Sequence, residues 1–327
     1  LILQISNLNF RYTNKDVHGI KDLDFSITDG SINCIIGPSG SGKSTLLKLI
    51  LNQIKPDSGS ILFSGKKMIE FHPEEVITSP LPLDKYLLQN AKVDLTEEKL
   101  IQLIRDGADI LEMSQSLKRK PQELSQGLYQ RFLILKIFIN LGDLIILDEP
   151  FNHLDDVLKD DIFGVFFNSN TRQGRTIIWC THDLKRALKY SDQILFLNHG
   201  RTEQLGVSSD FIKNPKSPLV AKFLGYDQFF TIKNIGKSFD LSFAKIPFNG
   251  IEARDYVLAV NSSDVYFNAT PNGKFVISGQ IWDGIEQKYK ISTENLELTG
   301  KSFDELKIGN TVDVNLPAMK VRVIDCL

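Results

Sequence analysis

Gly37–Pro38–Ser39–Gly40–Ser41–Gly42–Lys43–Ser44–Thr45 reads G-x-x-x-x-G-K-[ST]. An apolar β-type run, Ile32 to Ile36, precedes it, and an apolar helical run, Leu46 to Leu51, follows. A strand, a glycine-rich loop and a helix in that order are the setting a phosphate-binding loop requires. The glycines let the backbone curl until successive N–H groups point at one anion. The helix beginning near Lys43 adds the positive end of its dipole. Gly37, Ser39, Gly40, Gly42, Lys43, Ser44 and Thr45 are the expected contacts of a nucleoside triphosphate. Lys43 reaches the β- and γ-phosphates, and the Ser44 hydroxyl supplies one position on Mg²⁺.

The chain has 327 residues, long for one domain and comfortable for two. Its 42% hydrophobic and 24% charged content is that of a globular protein with substantial cores. Lys and Arg number 38 against 40 Asp and Glu, so the net charge of -2 gives no footprint for nucleic acid. Cys34, Cys180 and Cys326 are too few and scattered for a disulfide framework or a zinc site, which fits a reducing cytoplasm. The most apolar stretch, Phe132 to Leu147, is broken by Lys136, Asn140 and Asp143 and cannot span a bilayer. No signal-peptide pattern is seen, and because the chain opens on Leu1, a start further upstream is expected.

Outward from the loop, residues 2–10 and 22–28 alternate as strands around a polar turn at Thr13–Asp16. Tyr12, just before that turn, is placed to stack on a base or to pack a sheet edge. Apolar residues between Asp84 and Met113 recur at helical spacing, as at Leu100, Leu103, Ile104, Ile110 and Leu111. Leu124–Ser125–Gln126–Gly127–Leu128 opens a long apolar helix, with Ser125 as its N-cap and Gly127 leaving room for a ligand. Leu144–Ile145–Ile146–Leu147 is continuous enough to be buried on both faces of a parallel sheet, and it ends in Asp148–Glu149. Ligands bind at such strand ends. Asp148 suits Mg²⁺ through water, and Glu149 suits polarising an attacking water. A further buried strand, Thr176 to Cys180, ends in Thr181–His182–Asp183, which puts His182 beside the acid pair.

Together the phosphate loop, Leu124–Leu128, Leu144–Glu149, Asp155 and His182 stand in the order of the ATP-binding subunit of an ATP-binding cassette (ABC) transporter, which residues 1 to 225 resemble. The resemblance implies a P-loop ABC cassette of mixed sheet plus helical insertion, at residues 1–226 with the insertion at about 84–140. It implies two cassettes paired head to tail, each ATP held between one loop and the partner's Ser125 and Gly127. Asp155 would lie at that interface, His182 would contact the γ-phosphate, and Tyr12 would stack on adenine. Lys43, Glu149 and His182 are the implied catalytic residues, with ATP and Mg²⁺ the cofactors and Ser44 and Asp148 the metal ligands.

Two departures from the family stand out. The signature carries Gln126 and Leu128 where Gly and Gln are usual, although Ser125 and Gly127 remain. The loop that usually places a Gln near Mg²⁺ contains none between Glu70 and Leu83. Glu74, Thr78 or Ser79 takes that place, and Ser79 is favoured because Val76–Ile77 reads as the strand end.

From Thr231 onward short alternating runs are separated by turns at Asn272–Gly273 and Gly309–Asn310. Residues 227–327 are therefore expected to form a small all-β, OB-like barrel. Val257–Val265 and Leu306–Val312 resemble the accessory (TOBE-like) barrel of some importer ATPases. The resemblance implies a peripheral subunit on the cytoplasmic face of the bacterial cell membrane, working on transmembrane permease subunits and indirectly with a periplasmic or surface solute-binding protein. Its solute would be ferric iron, an oxyanion, a polyamine or a sugar, with an inorganic ion favoured. No nucleic-acid partner is expected. The rival readings are a nucleotide-dependent regulatory module with weak hydrolysis and a soluble ABC ATPase acting on nucleic acid.

Overall fold

The computed structural model describes residues 1–12, 19–71, 75–93, 95–140, 142–150, 159, 160, 163, 175–233, 238–240, 245–247, 255–293 and 297–325. The chain divides into two compact units, Leu1–Ser208 and Ser209–Leu327.

The first unit holds two sheets. Strands β1 (Leu3–Phe10) and β2 (Ile20–Ile27) pair antiparallel, and β1 also pairs antiparallel with β4 (Ser58–Phe63). The second sheet is built around β3 (Ile32–Ile36), whose five residues are all buried. It also contains β5 (Met68–Phe71), β6 (Leu144–Asp148), β7 (Thr176–Cys180), β8 (Gln193–Asn198) and β9 (Arg201–Gly206), in the order β5-β6-β7-β3-β8-β9. All neighbours are parallel except the β8–β9 hairpin at the edge. Leu144–Leu147 and Thr176–Cys180 are buried throughout, as continuous apolar runs in a two-sided sheet should be.

Helix α1 (Lys43–Ile50) follows β3 and buries Leu46, Leu47, Leu49 and Ile50 in a core shared with both sheets. The helical insertion comprises α2 (Leu83–Asn90), α3 (Glu97–Ile110) and α4 (Gln126–Ile139). Thr96 caps α3 by accepting from Lys99 N–H. Helix α4 is buried along most of its length, from Phe132 to Ile139, which explains its lack of a polar face. Helix α5 (Leu184–Tyr190) is capped by Asp183. Burial pushes the thiols of Cys34 and Cys180 well up, so both behave as small apolar groups. Cys326 lies outside the described residues.

The second unit begins at Ser209, ahead of residue 227, where the sequence reading starts the barrel. Helices α6 (Ser208–Lys213) and α7 (Pro218–Phe223) lead into it, and Ala221 of α7 packs with Ala259 and Ile324. That long-range packing is what moves the boundary. Strands β10 (Gln228–Lys233), β13 (Asp255–Val260) and β19 (Arg322–Asp325) form one sheet, and β11 (Ser238–Asp240) and β12 (Lys245–Pro247) form a small hairpin. Five more strands follow: β14 (Tyr266–Ala269), β15 (Phe275–Trp282), β16 (Gln287–Ser292), β17 (Glu297–Gly300) and β18 (Thr311–Asn315). Their order is β14-β18-β15-β16-β17, and a parallel bridge between Tyr266 and Lys301 joins the two ends. Closure removes exposed edges, and the interior is filled by Phe267, Ile277, Tyr289, Ile291, Leu298 and Val312.

Asp143 sets the start of β5 against β6. Its Oδ2 accepts from Lys66 N–H (2.7 Å) and Lys67 N–H (2.9 Å), and its own N–H donates to Lys67 O. Those backbone donors hold its carboxyl below the usual carboxylate range. Asp143→Asn is therefore expected to be less stable than the parent at pH 7. Because the folded pKa lies below the unfolded one, the parent's advantage is present above the unfolded value and is lost as pH falls through the folded value. Urea unfolding from pH 7 down to pH 3 should show the gap narrowing; a constant gap would contradict the assignment.

Candidate functional site

The parallel strands deliver their carboxyl ends to one edge, where the phosphate loop meets Asp148, Glu149 and His182. Leaving β3, the chain turns through Gly37 (φ 150), Gly40 (φ 75) and Gly42 (φ 107). A Cβ on Gly37 would stand 2.1 Å from Leu197 O, whereas one on Gly40 would meet nothing within 4 Å. Gly37 is thus required by contact, and Gly40 by its backbone angle alone. Gly42 caps α1 without a side-chain oxygen, so the first N–H groups of the helix face the loop. Ser39 and Gly40 are exposed at the tip of the loop, and Thr45 is buried at its base.

Lys43 Nζ donates to Gly37 O (2.9 Å) and Pro38 O (3.1 Å), which lays its ammonium along the inside of the loop. Ser44 Oγ donates to Asp148 Oδ2 at 3.0 Å across a sequence separation of 104 residues. A hydroxyl and a carboxylate, both hard oxygen donors beside a phosphate cradle, fit Mg²⁺, which takes few protein ligands and keeps the rest for water and phosphate. Among the described residues there is no cluster of three His, Cys, Asp or Glu that could cage a metal by itself.

Glu149 continues the ladder for one more bond, its N–H donating to Cys180 O at 3.1 Å. Its φ of 44° is left-handed, a conformation costing a non-glycine residue about 1–3 kcal/mol and held here by the β6–β7 pairing. Both carboxylate oxygens lie 3.2 Å from His182 Nδ1. The catalytic residues expected from sequence, Glu149 and His182, are therefore together. Tyr12 Oη lies 3.2 Å from Thr45 Oγ1, and its ring meets Phe10 edge-on at 4.8 Å. The tyrosine thus stands against the base of the phosphate loop.

Ser125 caps α4, its Oγ accepting from Leu128 N–H at 3.5 Å, and is exposed. A Cβ on Gly127 would meet nothing within 4 Å, so the helix start is open to an approaching group. Asp155 and Glu74 lie outside the described residues.

The ground for favouring Ser79 is corrected. Strand β5 ends at Phe71, not near Ile77, because its parallel register with β6 stops at Phe71–Leu147. Ser79 lies well beyond that end, is 5% exposed, and spends its Oγ accepting from Leu81 N–H at 3.1 Å.

The sequence reading missed what buttresses the loop. His199 (φ 47) and Gly200 (φ 76) make a two-residue β8–β9 hairpin. Gly200 N–H donates to Ser41 O at 2.8 Å, and Gly200 O accepts from Lys21 N–H at 2.9 Å. The available signal was the His-Gly pair between two alternating runs.

Residues 20–152 match the ABC transporter family. The spermidine/putrescine import ATP-binding protein PotA of Fusobacterium nucleatum is 30% identical over 265 residues, covering 76% of this chain and 70% of that protein. The chain belongs to the ABC transporter family. The likeness continues into the second unit of this ABC protein: PotA of Clostridium acetobutylicum is 27% identical over 341 residues, covering 97% of this chain and 94% of the relative. Among solved structures, one described as the ATP-binding subunit of an ABC transporter superposes with a TM-score of 0.58 at 26% identity, over 64% of this chain and 92% of that one. The chain spans about three fifths of the length of other curated relatives that it matches. The first unit is accordingly an ABC cassette of mixed sheet and helical insertion, and the second, after its two leading helices, is built of β-sheets.

The loop geometry orders two substitutions. Gly37→Ala must displace the backbone at Leu197, whereas Gly40→Ala bears only the left-handed penalty of about 1–2 kcal/mol. Urea unfolding should find Gly37→Ala the more destabilised, and equal losses would contradict this packing.

Proposed function

We propose that this chain is the ATP-hydrolysing subunit that energises import of a small solute. The single observation that carries the reading is the Ser44–Asp148 hydrogen bond, which joins a phosphate loop to an acid strand at one sheet edge. Relatives named as import or transport ATP-binding proteins support it, and one of them aligns along nearly the whole chain.

The residues divide the work as follows. The loop N–H groups and Lys43 bind the β- and γ-phosphates with charge-assisted hydrogen bonds. Ser44 and Asp148 would hold Mg²⁺, which would supply charge neutralisation to the phosphates. Glu149 accepts a proton from the attacking water as general base. His182 fixes the rotamer of Glu149 through Nδ1 and faces the γ-phosphate side. Tyr12 offers its ring to the adenine. Ser125 and Gly127 cap the nucleotide of a second copy, and Asp155 belongs to the same interface.

In this reading two copies pair head to tail and sit on transmembrane permease subunits at the cytoplasmic face of the membrane, with a solute-binding protein delivering cargo to the permease. Among the described residues no helix is long and apolar enough to cross a membrane. Relatives named for glycine betaine, sulfate, molybdate and spermidine span three solute chemistries. They do not support an inorganic ion over an organic one, and the solute class stays at "small solute". The second unit serves as a regulatory appendage, and no nucleic-acid partner is proposed.

Lys43→Ala should abolish ATP turnover and greatly weaken ATP binding. Glu149→Gln should keep Mg-ATP binding while turnover falls by about 10²–10⁴-fold, the usual range for a removed general base. Chelating Mg²⁺ should stop turnover in the parent. Phosphate release with full activity in Glu149→Gln would sink the assignment.

A further inference from the structure

The helix that carries Ser125 at its start also grips the chain as it leaves the metal side of the site. Tyr129 and Lys136 stand seven positions apart on α4, nearly two full turns, and so share one face. Tyr129 Oη accepts from Ile77 N–H at 2.6 Å and donates to Glu75 O at 2.8 Å. Lys136 Nζ pairs with both carboxylate oxygens of Glu75. Ile77 is buried, and the Lys136 and Glu75 side chains are 25% and 34% exposed, so the contacts are partly shielded from water. The ring of Tyr129 is held edge-on to Phe132 at 6.0 Å. One phenol used as both donor and acceptor toward two backbone groups fixes a direction as well as a distance.

The other end of the gripped segment lies beside the site. Phe71, the last residue of β5, is level with Leu147, one position before Asp148. Four Cα–Cα steps separate Phe71 from Glu75, a reach of at most about 14 Å. Glu75 and Ile77, which α4 grips, are thus tethered within that reach of the end of β5.

We propose that Tyr129 and Lys136 are positioning residues that clasp Glu75–Ile77 to α4, so that a displacement beside Asp148 moves Ser125 and Gly127. The trigger for that movement rests on the ATPase reading above; the clasp does not.

The test uses the full chain. Tyr129→Phe keeps the ring against Phe132 and removes only the hydroxyl. Without nucleotide, amide exchange at Ile77 should quicken by roughly two- to tenfold, the scale of one lost hydrogen bond. The charge swap Glu75→Lys with Lys136→Glu should restore protection across residues 75–77 that Glu75→Lys alone loses. With Mg-ATP, Tyr129→Phe should bind nucleotide as the parent does, while kcat falls by roughly two- to tenfold and KM stays put. Unchanged exchange at Ile77, or a swap no better protected than the single variant, overturns the clasp. A fall in nucleotide affinity with kcat unchanged overturns the positioning role. If the parent itself does not hydrolyse ATP, the ATPase reading fails, and the two exchange measurements still decide the clasp.

Discussion

Parallel pairing of β6, β7 and β3 places the ends of three strands at one level, and the site depends on that alignment. Asp148 leaves β6, Cys180 leaves β7, and Gly37 leaves β3. A shift of one residue along any of these ladders would turn each side chain to the opposite face of the sheet. Ser44 would then lose Asp148, and Glu149 would lose its bond to Cys180 O. The continuous apolar character of the three strands keeps both faces of this sheet buried, but it does not by itself choose a register, since a slip would exchange one apolar face for the other.

On that foundation the site carries local costs that the core offsets. Glu149 is left-handed, three loop glycines have positive φ, and α1 begins without a side-chain cap. Each would be a fault in a loop with no task. Here they direct backbone donors, an ammonium, a carboxylate and a hydroxyl to the same edge. The β8–β9 hairpin supports them through the Gly200 N–H bond to Ser41 O and through Leu197, whose backbone closes on Gly37 and whose side chain lies against Gly42.

What was legible in the sequence was local. The phosphate loop, the acid strand and the Ser125 cap each declare themselves within a few residues, through glycine angles, a continuous apolar run or a capping oxygen. The closed sheet of the second unit was visible as alternation and turns. The hidden parts depend on partners distant in sequence. The end of β5 is set by β6, more than seventy residues later, so Val76–Ile77 read as a strand when Phe71 is the end. Helix α7 belongs with the second unit because Ala221 packs on Ala259 and Ile324. Tyr129 gave no sign of its bonds to Glu75 and Ile77, since nothing in the pattern of α4 points to that loop.

The central claim is that one nucleotide site is assembled from the phosphate loop of one copy and the Ser125–Gly127 helix start of another. Mixing two inactive variants tests it most directly: Lys43→Ala, which spoils the loop, and Ser125→Arg, which blocks the helix start. A mixed pair contains one site with an intact loop facing an intact helix start. The account predicts that ATP turnover appears on mixing and rises with the fraction of mixed pairs. If the mixture stays as inactive as its components while each still folds, the two halves of the site do not come from different copies, and the account is contradicted.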